Sequence, residues 1–306
     1  MLRNALLWAS TNSFLSRRLP RMGFFRRATR RFMPGEELQD ALREAERLAG
    51  QGMATTVTLL GENLGSAGEA DEVVEHYLGV LETVRERGLD TEISVKLTQL
   101  GIDFSRDAAR ERLERLCRAC DGQRLVWVDM ESSPYVDATL DVFAAVREDH
   151  ENVGLCLQAY LRRTADDLAR LLPLRPALRL VKGAYREPAD VAFPRKADVD
   201  RNYIELARAL LEARREDRVG RPVIGTHDPR MVDGAIDLAR KLGLDDDAYE
   251  IAMLYGIQTS QQTRLVEAGH RVRVLISYGT AWFPWYMRRL AERPANIWFV
   301  LRQIRG

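Results

Sequence analysis

Near the end of the chain, Pro284-Trp-Tyr-Met-Arg288-Arg289-Leu-Ala-Glu292 sets two adjacent arginines between a tryptophan and a carboxylate. Proline is tolerated in the first turn of a helix, where the N–H it lacks would have no intrahelical partner. On a helix running from Pro284, the residues Trp285, Arg288, Arg289 and Glu292 lie three and four positions apart and share one face. Adjacent guanidinium groups make a planar fork that grips a carboxylate or a phosphate through paired hydrogen bonds. The same spacing also describes a solvated helix with an ordinary Arg–Glu pair, which contributes little. The other polar residues of the chain have to separate these readings.

Those residues follow short apolar, β-branched runs. Glu62, Lys96, Asp129 with Glu131, Gln158 with Tyr160, Lys182 with Tyr185 and Arg186, Thr226-His227-Asp228, Tyr255 and Tyr278 stand at or just beyond the ends of such runs. The runs predict strands at Ala54–Leu60, Glu92–Leu97, Arg124–Met130, Val153–Tyr160, Leu178–Ala184, Pro222–Thr226, Tyr249–Leu254 and Val272–Ser277. Helical periodicity fills the intervals: Ala67–Arg87, Arg106–Cys120, Val136–Glu148, Ala165–Leu172, Val199–Arg215, Arg230–Leu242 and Ser260–Ala268. A last helix runs from Pro284 towards Gln303, and an earlier one from Pro34-Gly-Glu-Glu37 to Gly50.

Strand–helix alternation of this kind builds a parallel sheet with crossover helices. No strand run is followed by G-x-G-x-x-G or a Walker-type phosphate loop, which excludes a dinucleotide-binding Rossmann unit. The expectation is an α/β chain, a (βα)8 TIM barrel. Residues 1–50 form an N-terminal basic helical arm, and residues 51–306 form the barrel with the C-terminal helix carrying the arginine pair. The chemistry of such barrels sits at the C-terminal ends of the strands, where the polar residues above fall.

Several chemistries are open at such a mouth. Metal is the weakest, because His76, His150 and His270 lie in helical or turn contexts and His227 alone is at a strand end. No serine sits on a strand-to-helix elbow between glycines. Lys96 and Lys182 could form a Schiff base, as in an aldolase or lyase. The arginine fork, Gln158, the Thr226-His227 step and several tyrosines suit a large anionic conjugated cofactor together with a small carboxylate.

Composition narrows the partners. A net charge of +1 gives no reason to expect nucleic acid, and no apolar run is long enough to span a bilayer. Residues 1–35 hold eight arginines and no acid among Leu, Phe and Trp, a pattern compatible with a transit peptide, a membrane-surface helix or an arm on the barrel. Three cysteines argue for a reducing compartment, and Cys117-x-x-Cys120 lies within a helical pattern with no second pair at zinc spacing.

Together these motifs resemble the proline dehydrogenase family, both the monofunctional bacterial form and the corresponding domain of proline utilization A, over nearly the whole chain. That family's last helix carries Tyr-x-x-Arg-Arg-x-x-Glu, matched here from Trp285 to Glu292. Further matches are Leu60-Gly-Glu62, Ile93-Ser-Val-Lys96-Leu, Val128-Asp129-Met-Glu131, Leu157-Gln158-Ala-Tyr160, Arg179-Leu-Val-Lys182-Gly-Ala-Tyr185 and Gly225-Thr226-His227.

The resemblance implies a distorted barrel that holds FAD noncovalently. It also implies oxidation of L-proline to Δ1-pyrroline-5-carboxylate by hydride transfer to flavin N5, with electrons passed on to a quinone. Arg288 and Arg289 would clamp the substrate carboxylate, with Lys96, Asp129 and Glu292 on the substrate side. Arg179 would approach flavin N5, and Gln158, Lys182, Gly183, Ala184, Thr226 and His227 would contact FAD. Glu62 would pair with a clamp arginine as a gate. Leu254, Tyr185, Leu275 and Trp285 would line the ring. A cytoplasmic protein, peripheral at the inner membrane surface, with a pyrroline-5-carboxylate dehydrogenase as a partner, completes the implication.

Two positions depart from the family pattern. Trp285 replaces the tyrosine before the arginine pair, and Leu275 replaces the strand tyrosine of Val-Tyr-x-Pro-Tyr-Gly. In relatives that act on hydroxyproline this strand tyrosine gives way to a smaller residue, so hydroxyproline or another cyclic secondary amino acid is the alternative substrate.

Overall fold

The computed structural model describes residues 29–62, 64–122 and 124–292, with side chains through residue 290. Residues 1–28 of the basic arm, the helix beyond Glu292 and the Glu292 side chain lie outside the described residues.

Among the described residues the order is α1 (Leu38–Ala49), β1 (Ala54–Leu59), α2 (Ala67–Glu86), β2 (Thr91–Val95), α3 (Arg106–Ala119), β3 (Val126–Val128), α4 (Val136–Asp149) and β4 (Val153–Gln158). There follow α5 (Thr164–Leu171), β5 (Ala177–Val181), α6 (Lys196–Arg215), β6 (Arg221–Gly225), α7 (Pro229–Lys241), β7 (Glu250–Leu254), α8 (Thr259–Glu267), β8 (Val272–Tyr278) and α9 (Trp282–Glu292). All eight strands pair in parallel and in order, and β8 returns to β1, so the sheet closes as a (βα)8 TIM barrel.

Local chemistry starts the helices where the sequence places them. The Ser66 and Ser105 hydroxyls accept from the backbone N–H groups of Glu69 and Ala108, capping α2 and α3. Asp228 caps α7 with Pro229 at its first position. Helix α1 turns Ala41, Leu42, Ala45 and Leu48 into the same apolar core as the inner faces of α2 and α3, so this part of the N-terminal segment packs as a layer of the barrel.

The main differences from expectation lie at element ends. β3 is three residues rather than seven; just before it, the Leu125 N–H donates to the Glu92 carboxylate at 3.1 Å. Helix α6 starts at Lys196 rather than Val199, which shortens the long loop after β5.

Strand alternation fills the barrel's interior with polar residues at its N-terminal end, which the sequence reading passed over. Arg221 bonds both Glu92 (2.7 Å) and Glu250 (2.7 Å), and Arg273 bonds Glu250 (2.9 Å) and the Thr55 carbonyl (2.8 Å). Glu92 also accepts from the Trp127 indole N–H at 2.7 Å. Four charges from β2, β6, β7 and β8 thus close the bottom of the barrel as a paired network. Such groups tolerate burial only when each charge keeps its partners.

Candidate active site

At the opposite end of the barrel, strand period sets the site. Glu92, Ser94 and Lys96 alternate on β2, so the strand that contributes Glu92 to the floor turns Ser94 and Lys96 to the same side. Asp129 leaves β3 with its N–H on the Val95 carbonyl at 2.8 Å. Its carboxylate accepts from Ser94 Oγ (2.9 Å), Arg179 Nη2 (2.5 Å) and Lys96 Nζ (3.4 Å). Arg179, from β5, also donates to Ser94 Oγ at 2.9 Å, and its guanidinium lies 4.8 Å from the Trp127 ring centroid. Trp127 has room because Gly154 faces it; a Cβ there would approach the ring to 2.7 Å.

Burial works to raise the Asp129 carboxyl, but Lys96 and Arg179, helped by the Ser94 hydrogen bond, hold it below the usual carboxylate range. Burial likewise opposes the Arg179 charge, and the Asp129 carboxylate beside it holds the guanidinium protonated. The result is a fixed buried arrangement of two cations on one anion.

The neighbouring strand ends carry the remaining polar groups. Gln158, buried at the end of β4, donates to the Met130 carbonyl at 3.1 Å. Its Oε1 is buried with no partner among the described residues. Lys182 Nζ bonds Asp200 of α6 at 2.7 Å and lies 3.7 Å from Asp228. Gly183 takes φ +106°, and a side chain there would run into the Tyr160 ring, so the backbone crosses that ring flat. Ala184 follows, part-exposed. Thr226 Oγ1 accepts from the Asp228 N–H at 3.2 Å. His227 Nε2 accepts from the Leu254 N–H at 2.8 Å, which leaves the ring proton on Nδ1.

The arginine helix meets this mouth through Glu62. Arg288 donates to both Glu62 oxygens, at 2.6 and 3.3 Å, and its guanidinium lies 5.1 Å from the Tyr185 ring centroid. The Tyr185 hydroxyl donates to Glu62 at 3.4 Å. Burial pushes this phenol well above its ordinary value, and Glu62, Glu131 and Asp129 all add to the effect. Tyr185 therefore senses both the Asp129 cluster and the arginine helix, which share one mouth. Arg289 is part-buried beside Arg288. Leu275 stands opposite Leu254 in the β7–β8 register, and both are among the less buried residues of their strands.

Trp285 is 9% exposed and belongs to an apolar cluster that includes Phe32, Met33 and Leu60, while Arg288 and Arg289, three and four positions on, are part-buried. The supporting residues Ser94, Trp127 and Asp200 went unread in the sequence. For Ser94 the signal was present, since it lies two positions before Lys96 on the same strand face.

Glu131 was named at its strand end without a role. It is buried, accepts from the Thr98 N–H (3.1 Å) and hydroxyl (2.7 Å), and burial raises its carboxyl to about 7. A folded-state value above the ordinary one means that the protonated form favours the fold. That contribution is full below the unfolded carboxylate range and is lost as pH rises through about 7. The stability of Glu131→Gln relative to the unmodified chain is expected to rise by about 3 kcal/mol between pH 4.5 and pH 7.5. Urea unfolding at both pH values checks this, and a pH-independent difference would contradict it.

The proline dehydrogenase family model matches residues 41–302. Proline dehydrogenase 2 of Bacillus subtilis subsp. natto is 36% identical over 301 residues, covering 98% of this chain and 97% of that one. The proline dehydrogenase of Deinococcus radiodurans is 36% identical over 278 residues, covering 89% and 88%. The crystal structure of proline utilization A from Bdellovibrio bacteriovorus, inactivated by N-propargylglycine, superposes with a TM-score of 0.81 at 25% identity. It matches 95% of this chain, which spans 36% of that larger one. No described helix is long and apolar enough to cross a membrane. With a matching barrel and relatives aligned over nearly its whole length, the chain belongs to the proline dehydrogenase family.

Proposed function

We propose that this protein oxidises L-proline to Δ1-pyrroline-5-carboxylate, with FAD as the electron acceptor and a quinone as the final one. The observation that carries this reading is the pairing, at one barrel mouth, of a buried Arg179–Asp129–Lys96 cluster with an arginine helix held by Glu62.

The residues present fit a flavin. Gln158 offers a buried acceptor oxygen with no described partner, suited to an N–H donor. Arg179 supplies a buried cation, with Lys182, Gly183, Ala184, Thr226 and His227 on the adjoining strand ends. A flavin held by these residues would supply a two-electron acceptor for the oxidation.

The chain's own groups do the rest. Arg288 and Arg289 hold the substrate carboxylate and so fix the ring's orientation, which is a large part of rate enhancement. Glu62 exchanges its hold on Arg288 as the carboxylate enters, acting as a gate, and Tyr185 and Leu254 line the ring. Asp129 holds Lys96 and Arg179 in place, and the Arg179 charge favours electron density arriving beside it. A Schiff-base reaction is less well supported, because Lys96 and Lys182 are both held in ion pairs and an ion-paired ammonium is a poor nucleophile. The basic segment before residue 35 suits a peripheral site at the inner membrane surface, where a quinone is reached. A pyrroline-5-carboxylate dehydrogenase would consume the product.

One observation favours a second substrate. Leu275, opposite Leu254 in the β7–β8 register, is a smaller side chain without a hydroxyl where the family pattern has a tyrosine, which suits a ring carrying one more substituent. Product trapping with an aminobenzaldehyde, using an artificial electron acceptor, tests the proposal. Proline should yield the imine adduct, and its absence would overturn the reading. An adduct from hydroxyproline alone would favour the second substrate. Leu275→Tyr is expected to raise kcat/KM for proline several-fold and lower it for hydroxyproline; unchanged values for both would remove Leu275 as a specificity determinant.

A further inference from the structure

The helix that carries Arg288 and Arg289 is not seated in the barrel's main core. Trp282, Trp285 and Tyr286 pack instead in a separate apolar cluster with Leu60 and with Phe32 and Met33 of the N-terminal segment. Two hydrogen bonds fasten that segment to the start of the helix. The Glu36 carbonyl accepts from the Gly279 N–H at 2.9 Å, and the Glu36 carboxylate accepts from the Trp282 indole N–H at 2.9 Å. The Phe32 ring lies 5.9 Å from that of Tyr286, between their centroids. On the other side, the Arg31 carbonyl occupies the space that a side chain on Gly256 would need, and Gly256 takes φ +72°. The segment crosses the β7–α8 turn at a point where only glycine leaves room.

This geometry has leverage. Trp282 and Arg289 lie seven residues apart on one helix, a separation of about 10 Å along the axis. A pivot of about five degrees at Trp282 would move the arginine fork by roughly 1 Å, a misplacement of the size that costs about a hundredfold in rate.

We propose that residues 29–36 act as a strap, and that the Glu36–Trp282 hydrogen bond sets the tilt of α9 and so the reach of Arg288 and Arg289 for the substrate carboxylate. This rests on reading the arginine pair as the carboxylate clamp. Glu36 and Trp282 are positioning residues, acting on substrate only through the helix. Their bond is charge-assisted, since a carboxylate accepts it, and such bonds are stronger than neutral ones.

Steady-state kinetics with L-proline on the full chain tests this. Glu36→Ala and Trp282→Phe should each raise KM by about ten- to a hundredfold, the size expected for one charge-assisted hydrogen bond, with a smaller fall in kcat and the visible spectrum unchanged. The double variant should be no worse than either single one, because both remove the same bond. Glu36→Gln keeps an acceptor oxygen without the charge and should recover part of the loss in KM. An unchanged KM in both single variants, or additive effects in the double variant, would overturn the strap. Arg289→Ala measured alongside separates the two layers. If it raises KM while Glu36→Ala and Trp282→Phe do not, the strap fails and the clamp stands. If Arg289→Ala also leaves KM unchanged, the clamp reading fails and takes the strap with it.

Discussion

Arg289→Ala is expected to lower kcat/KM for L-proline by about a hundred- to a thousandfold, with most of the loss in KM. Truncating one member of a desolvated charge pair costs about 2–5 kcal/mol, and each 1.4 kcal/mol is a factor of ten. Arg288→Ala should cost a similar amount while also releasing Glu62, which Arg288 holds through both carboxylate oxygens. Arg289→Lys should fall between, since an ammonium keeps the charge but lacks the planar fork. A part of the loss should appear in kcat, because a carboxylate held less firmly leaves the ring less well oriented. An Arg289→Ala protein with unaltered proline KM would remove the carboxylate clamp from the mechanism.

The second large effect lies at the other end of the barrel. Arg273→Leu is expected to destabilise the fold by about 3–5 kcal/mol, because it leaves Glu250 and Glu92 with one fewer buried counter-charge. Domains of this kind have only about 5–15 kcal/mol in hand, so the variant would sit near the edge of folding. Its pH dependence identifies the cause. Burial raises the Glu250 carboxyl, but Arg273 and Arg221 together hold it well below the usual carboxylate range. A depressed folded-state value contributes stability above the unfolded carboxylate range and loses it as pH falls towards the folded value. Without Arg273 that contribution shrinks, so the gap between variant and unmodified chain should be widest at neutral pH and narrow towards acid. Adding Glu250→Gln to Arg273→Leu should recover part of the loss. Chemical denaturation at pH 7 and pH 4 checks this; a gap that stays constant with pH would contradict it.

The barrel itself was legible because its signals are local. Short apolar, β-branched runs and helical periodicity each act over a few residues, and all eight strands and the helices between them fall where those signals lie. Strand ends were less well defined, since the Leu125 N–H turns to the Glu92 side chain, 33 positions earlier, and no local signal announces that. The floor of the barrel was not legible, although its charges were in plain view. Arg221 and Glu92 are 129 positions apart, and no periodicity joins them until the sheet closes.

The site divides in the same way. Lys96, Asp129 and Gln158 stand at strand ends, where residue type and position speak together, whereas Arg179 lies in the middle of β5 and came only with the family resemblance. The Ser94 hydroxyl that links Asp129 to Arg179 lay in the middle of a strand and looked like filler. Helical spacing puts Trp285 beside the arginines, but spacing cannot say which residues distant in the chain join its apolar cluster, and Phe32 and Met33 stand about 250 positions earlier.

The most direct test of the central claim is the visible spectrum of the purified protein, recorded anaerobically before and after addition of L-proline. An oxidised-flavin spectrum that bleaches on addition of proline is the predicted result. A colourless protein, or a flavin band that proline leaves unchanged, would contradict it.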